Sequence, residues 1–286
     1  MLKHKYAFEA LGTSWVIETD QPISVALKEI IQEAIEAFDI TYSRFRQDSL
    51  VTKLSQQAGS YEFPASAIPL FSFYEQLYVI TGSKVTPLIG DMISRAGYDA
   101  DYSFEPKEQK PISTWDVAVR REGRVLHVSQ PIILDVGAAG KGYLVDCVAQ
   151  ILDEHEAGEY VIDASGDMRH KGKSENLVGL EHPLDHGKVI GAIEVQNASL
   201  CASATNRRVW GEGLHHIFDP DTMAPVGTYV ATWVLAKDTM VADGLATALF
   251  FVDPSTLANH YSFEYVRMGA DGSVEYSPLF NGKLFV

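Results

Sequence analysis

The sequence predicts an α+β or mixed α/β protein. Three observations carry that expectation. Segments of helical spacing and segments of strand alternation are interspersed along the chain. Short strands recur on either side of turn residues, as hairpins require. No clean β–α–β repeat organises the whole. The 286 residues are 46% hydrophobic and 21% charged, ample for a sizeable core. No stretch reads as a long linker, an internal repeat or a low-complexity segment, so one domain over 1–286 is expected.

The elements follow in order. Residues 7–19 read as a strand, a turn at Gly12-Thr13 and a second strand from Ser14 to Glu18. Leu27, Ile30, Ile31, Ala34, Ile35 and Phe38 recur at helical spacing, with Lys28, Glu29, Gln32, Glu33 and Glu36 facing out. Residues 41–49 form a polar-aromatic loop. A second helix is expected from Ala67 to Thr81, stopped by Gly82. Pro106 and Pro111 mark residues 99–114 as a surface loop. Asp116 to Arg120 and Arg124 to Val128 alternate around Glu122-Gly123, a hairpin signal. A strand to Val136, a glycine-rich turn and a helix carrying Leu144, Val145, Val148, Ile151 and Leu152 come next, closed by Gly158. Strands are expected at Tyr160–Asp163, near Leu177 to Leu180, from Lys188 to Val195, and in two short pieces flanking His215-His216. Tyr229 to Ala236 is apolar and β-branched, hence a buried strand. Val241 to Val252 is an almost wholly apolar helix.

Charge narrows the function. The net charge is -15 and the pI near 4.9, a surface that repels nucleic acid and anionic membranes. A phosphate-handling site on such a chain needs its own positive charge, from a metal ion or local cations. Cys147 and Cys201 read as two buried thiols of a reduced compartment. The N-terminus shows no apolar h-region, and no segment is long and apolar enough to span a membrane, so a cytoplasmic protein without membrane insertion is expected.

A few segments could carry chemistry. In Ala242-Asp-Gly-Leu-Ala-Thr247, a helix puts Asp243 and Thr247 on one face amid apolar neighbours. A carboxylate there is costly unless it is paired or metal-bound. With a hydroxyl it makes a hard-oxygen pair suited to Mg²⁺. The alternative is a dipole-favoured Asp with Thr247 bonded to a backbone carbonyl. Asp135-Val-Gly-Ala-Ala-Gly-Lys-Gly-Tyr143 ends a strand in small residues and starts a helix near Lys141, which favours anions. It is not a Walker loop, because Gly137 and Gly140 are too close and Gly142 replaces the hydroxyl residue. His215-His216-Ile-Phe-Asp-Pro220 offers His216 as a base or phosphate contact, without the third ligand zinc needs. Ser199 to Arg208 sets small residues before two arginines, and Asp163-Ala-Ser-Gly-Asp167 is a small, acidic turn.

The order of these motifs is more specific than any one of them. Gly12-Thr13, Ser43-Arg-Phe-Arg-Gln-Asp-Ser49, Asp135–Tyr143, Asp163–Asp167, His216–Pro220 and Ala242–Thr247 form a series that resembles the ApbE family of FAD:protein FMN transferases. The likeness runs from near the first residue to at least residue 252. It implies a single, mixed α+β, T-fold-like domain of layered β-sheet and packed helices. It also implies FAD as substrate, Mg²⁺ as cofactor, and transfer of FMN to a threonine of a target flavoprotein with release of AMP. Carried over, the resemblance makes Asp243, Thr247 and the Ala138 carbonyl the metal ligands. It makes Leu11, Phe45, Lys84, Val85, Thr86, Asp135, Lys141 and Phe218 the FAD contacts, with His216 before the Asp-Pro turn. The chain departs from the family pattern at Val85-Thr86-Pro87-Leu88, Asp163, Ser165, Ser203-Ala204 and Met223; the metal pair is untouched. Competing readings are an FAD diphosphatase, a flavin-binding protein without turnover, and an unrelated metal-dependent phosphohydrolase.

Overall fold

The computed structural model describes residues 2–185 and 187–285. β1 (His4–Ala10) and β2 (Thr13–Thr19) form the first hairpin. Both turn residues, Leu11 and Gly12, have positive φ, 51° and 68°. A tight hairpin needs that conformation; glycine adopts it freely and leucine does not. α1 (Val25–Tyr42) runs past the expected end. Thr41 bonds back to the Ala37 carbonyl, and Tyr42 is buried against Phe38, Phe63 and Phe71, so packing claims the start of the expected loop.

α2 (Leu50–Leu54), capped by Ser49, and β3 (Gly59–Glu62) are additions to the expected pattern. α3 (Ala67–Ile80) lies where expected. A 3₁₀ turn at Pro87–Ile89, capped by Thr86, leads into α4 (Gly90–Arg95). Residues 99–114 carry no helix or strand. The expected strand from Asp116 to Arg120 is corrected: α5 (Trp115–Ala118) precedes β4 (Val119–Glu122), which pairs with β5 (Val125–Val128). Trp115 and Ala118 are both buried, and a spacing of three suits a helical turn rather than a pleat. The expected strand to Val136 is absent among the described residues. Ile132 N–H bonds Leu54 and Asp135 N–H bonds Pro87, neither of them in a strand.

α6 (Gly140–Glu154) follows the glycine-rich turn; it is closed at His155 and Glu156, the latter with φ 51°, where the Ala157 N–H bonds back to Leu152, and not at the expected Gly158. Then come β6 (Tyr160–Asp163), β7 (Asp167–Lys171), β8 (Asn176–Glu181), β9 (Val189–Val195) and β10 (Ser199–Ala204). The short strands β11 (Val209–Trp210), β12 (Leu214–His215), β13 (Phe218–Asp219) and β14 (Ala224–Pro225) lie to either side of His216. β15 (Tyr229–Ala236) coincides with its expected bounds. α7 (Thr239–Ala248) is shifted from the expected Val241 to Val252. Asp146 supplies acceptors for its first N–H groups, and past Ala248 the bonds tighten into turns. α8 (Pro254–Ala258), β16 (Phe263–Gly269), β17 (Val274–Tyr276) and β18 (Gly282–Leu284) complete the chain.

These elements form two compact units. The first comprises Met1–Ile35, Ala139–Asn206 and Gly227–Val286; the second comprises Glu36–Ala138 and Arg207–Val226. Among the described residues of the first unit, eight strands make one antiparallel sheet in the order β1-β2-β6-β7-β10-β15-β16-β17. A smaller sheet, β18-β9-β8, packs Leu180, Ile190, Ile193 and Val195 against Leu200, Trp233, Val266 and Met268 of the large one. α6 and α7 pack on each other, and α7 lies on β10 and β15. The layers are those of an α+β fold. The second unit holds α2 to α5, the β3-β5-β4 sheet and the four short strands.

The contact between α6 and α7 is tight because Gly142 has no side chain. A Cβ there would meet the Thr239 carbonyl oxygen and lie 2.7 Å from the Asp243 Cβ. Gly142→Ala is therefore expected to destabilise the protein by about 1–3 kcal/mol, the usual cost of overpacking. Urea unfolding checks this; a variant as stable as the parent would show that the helices can part without cost.

Candidate active site

The first unit assembles Lys141, Asp243 and Thr247. Asp243 and Thr247 lie one turn apart on α7, as the spacing predicts. Asp243 is 5% exposed, and its Oδ2 accepts the Gly142 N–H at 2.9 Å. The Thr247 hydroxyl lies 3.5 Å from Ser203 Oγ on β10. One carboxylate and two hydroxyls are hard oxygens, which fit Mg²⁺, a cation that keeps waters and phosphate oxygens beside few protein ligands. Among the described residues no group of three or more His, Cys, Asp or Glu could hold a metal.

Lys141 sits in the first turn of α6. Its ammonium donates to the Ala164 carbonyl at 2.8 Å and lies 3.1 Å from Asp167 Oδ2. Asp167 is 1% exposed, so the ammonium is held by a buried carboxylate at the β6–β7 turn. Cys201, on the neighbouring β10, is fully buried, and burial together with Asp167 and Asp243 pushes its thiol up. It is inert rather than nucleophilic. On α6, Asp146 accepts the N–H of Thr239 at 3.0 Å and of Met240 at 2.8 Å. Desolvation pushes its carboxyl above the ordinary range, outweighing those two bonds. Leu11 lies in the first unit too, partly exposed at the β1–β2 turn.

The second unit gathers a different set. Asp135 Oδ1 accepts the Gly137 N–H at 2.6 Å, and Oδ2 pairs with Arg44 Nε at 2.6 Å. Burial raises the Asp135 carboxyl, but Arg44 and the Gly137 N–H outweigh it and leave it below the usual carboxylate range. Arg44 also donates to the Tyr98 carbonyl at 2.8 Å and stands over the Phe45 ring at 4.1 Å. Phe45 stacks on Tyr102, with centroids 5.1 Å apart, and Tyr98 stacks on Trp210. Phe218 is buried with Trp210, Met92 and Ile93. Val85 and Thr86 are buried as well, and Thr86 Oγ1 caps the following 3₁₀ turn. Lys84 is bound by Asp219 and Asp221, each at 2.7 Å. Its pKa is raised because the two carboxylates outweigh partial burial. The side chains of Lys84, Thr86 and Phe218 thus have structural duties. Ala138 ends a segment of this unit.

His216 lies between β12 and β13. Its Nδ1 is buried without a hydrogen-bond partner among the described atoms. Burial above all, then Arg208 and His215, pushes its pKa down to about 3. The imidazole is therefore neutral at pH 7 and a weak base. Its folded pKa lies below the unfolded value, so stability is lost as pH falls through the range from about 6.5 to about 3. His216→Asn is expected to flatten that part of the acid-denaturation curve. An unchanged curve would mean that His216 is not held neutral.

Sequence reasoning did not single out Asp146, and it named Ser203 and the motif that holds Arg44 without giving either residue a role. Asp146 had a signal: a carboxylate one turn from Gly142 inside an apolar helix pattern. The other two needed the fold.

Fold and site define a protein of layered antiparallel sheet with a carboxylate–hydroxyl face on a buried helix. The model of the ApbE family matches residues 11–265, and the chain belongs to that family. The FAD:protein FMN transferase of Vibrio cholerae is 26% identical over 261 residues, covering 84% of this chain and 78% of that protein. The FAD:protein FMN transferase of Klebsiella pneumoniae is 21% identical over 278 residues, covering 86% and 77%. Among solved structures, the flavin transferase ApbE from Vibrio cholerae aligns with a TM-score of 0.80 at 21% identity, covering 96% of each chain. The ApbE protein of Thermotoga maritima aligns with a TM-score of 0.85 at 22% identity, covering 97% of this chain and 99% of that one. The α+β expectation is met.

Proposed function

We propose that this chain is an FAD:protein FMN transferase that moves FMN from FAD onto a threonine hydroxyl of a target flavoprotein and releases AMP, with Mg²⁺ as cofactor. The observation that carries this reading is the buried Asp243 one turn from Thr247 on α7, with Ser203 Oγ 3.5 Å from the Thr247 hydroxyl, within a family whose named relatives are FMN transferases. In the reaction, the acceptor oxygen bonds to the FMN phosphorus. The P–O bond to AMP breaks, and AMP leaves with the bridging oxygen. The hydroxyl proton needs an acceptor.

Each residue has a part that follows from its surroundings. Asp243 and Thr247 would hold the metal. Mg²⁺, when bound, supplies the positive charge that an acidic chain lacks and polarises the phosphorus. Lys141, oriented by Asp167 and the Ala164 carbonyl, offers its ammonium to a phosphate oxygen. His216 is the base that the sequence offers, and its low pKa makes it a weak one. Leu11 offers apolar surface to the flavin ring.

The experiment is incubation with FAD, Mg²⁺ and a flavin-accepting protein domain, following AMP and covalent flavin fluorescence. AMP with a labelled acceptor is the expected result. AMP with free FMN and an unlabelled acceptor would replace the transferase by a diphosphatase. FAD binding without AMP would leave a flavin-binding protein.

A further inference from the structure

A helix usually finds its first hydrogen-bond acceptors in the residue just before it. α7 does not. Asp238 stands at that position with a cap-type backbone, yet its side chain makes no capping bond. The acceptors come from α6 instead. The two oxygens of Asp146 take the N–H groups of Thr239 and Met240 at 3.0 and 2.8 Å.

One turn before Asp146 on the same helix, the Gly142 N–H donates to Asp243 Oδ2 at 2.9 Å. One turn after Thr239 on the partner helix stands Asp243. The helices are thus tied at two points a turn apart, and Asp243 is the side chain at one of them. A local cap would satisfy the same N–H groups without tying the start of α7 to α6. A cap supplied by α6 adds that tie. Ser199 of β10 holds the same end of α7 to the sheet, its hydroxyl lying 2.8 Å from Thr239 Oγ1.

We propose that Asp146 is a positioning residue for the metal-ligating carboxylate: by capping α7 from α6, it fixes where Asp243 stands. This rests on the reading of Asp243 as a metal ligand given above. Groups that orient a ligand from behind typically matter 10–100-fold in metal affinity.

The test is direct titration of the full chain with Mn²⁺ alone, read by the electron paramagnetic resonance of free Mn²⁺, with thermal unfolding of each variant. Asp146→Asn keeps the shape and one acceptor oxygen. It is expected to weaken Mn²⁺ binding by about 10-fold or more while unfolding within a few degrees of the parent. A folded D146N that binds Mn²⁺ like the parent would overturn the proposal, whatever its thermal stability. Should D146N not fold, Asp146→Glu carries the test: it keeps both oxygens but sets them one methylene further out. Weaker Mn²⁺ binding by D146E supports the proposal, and parental affinity overturns it. Asp243→Asn, run alongside, separates the two layers. If it binds Mn²⁺ as the parent does, the metal-ligand reading itself is wrong, and the inference falls with it.

Discussion

Asp243→Asn is expected to abolish most FMN transfer, by about a thousand-fold, while leaving the protein folded. The two halves of that expectation have separate causes. The asparagine retains an oxygen that can accept the Gly142 N–H, so the tie between α6 and α7 survives. What is lost is the negative charge. On the proposed reading, a hard cation held by few protein ligands depends on that charge, and several kcal/mol of transition-state stabilisation would go with the metal. Each 1.36 kcal/mol is about tenfold in rate, which is how the thousand-fold figure arises. The assay is AMP release at saturating FAD across a Mg²⁺ series, beside circular dichroism. Raised Mg²⁺ should restore part of the rate. Full activity in the variant would remove Asp243 from the site and leave it a structural acid of α7.

Arg44→Ala should cost about 3–5 kcal/mol of stability, the usual penalty for stranding one member of a buried ion pair. Arg44 has only 6% of its side chain exposed and Asp135 16%. The guanidinium pairs with Asp135, bonds the Tyr98 carbonyl and covers the face of Phe45. Removing it strands a carboxylate and a carbonyl at once, and opens space beneath two aromatic rings. The pH dependence has a definite sign. Asp135 is held below the usual carboxylate range in the folded protein, so its contribution is present above the unfolded value and lost as pH falls through the folded one. Without Arg44 that acid-sensitive share should shrink. Chemical unfolding at neutral and acidic pH measures both effects. A loss below about 1 kcal/mol at neutral pH would place the pair among surface-like bridges and refute the assignment.

Much of this protein was legible in its residues. The two-period pattern gave the α+β class, and the run Tyr229–Ala236 gave a strand to the residue, because a β-branched apolar segment has few alternatives. The spacing of Asp243 and Thr247 gave their shared face, because helical geometry is local. The ordered motifs pointed to the family. Other features depended on partners far away in sequence. Whether 115–118 is a pleat or a turn depended on what buries Trp115 and Ala118. Where α7 starts depended on Asp146, more than ninety residues earlier in the chain. That Lys84 is bound by Asp219 and Asp221, while Lys141 is bound by Asp167, depended on which carboxylates the fold brings within reach. Local spacing dictates which side chains share a face of a helix or strand. Burial and charge pairing are properties of the packed chain, and they decide which of those side chains remain available for chemistry.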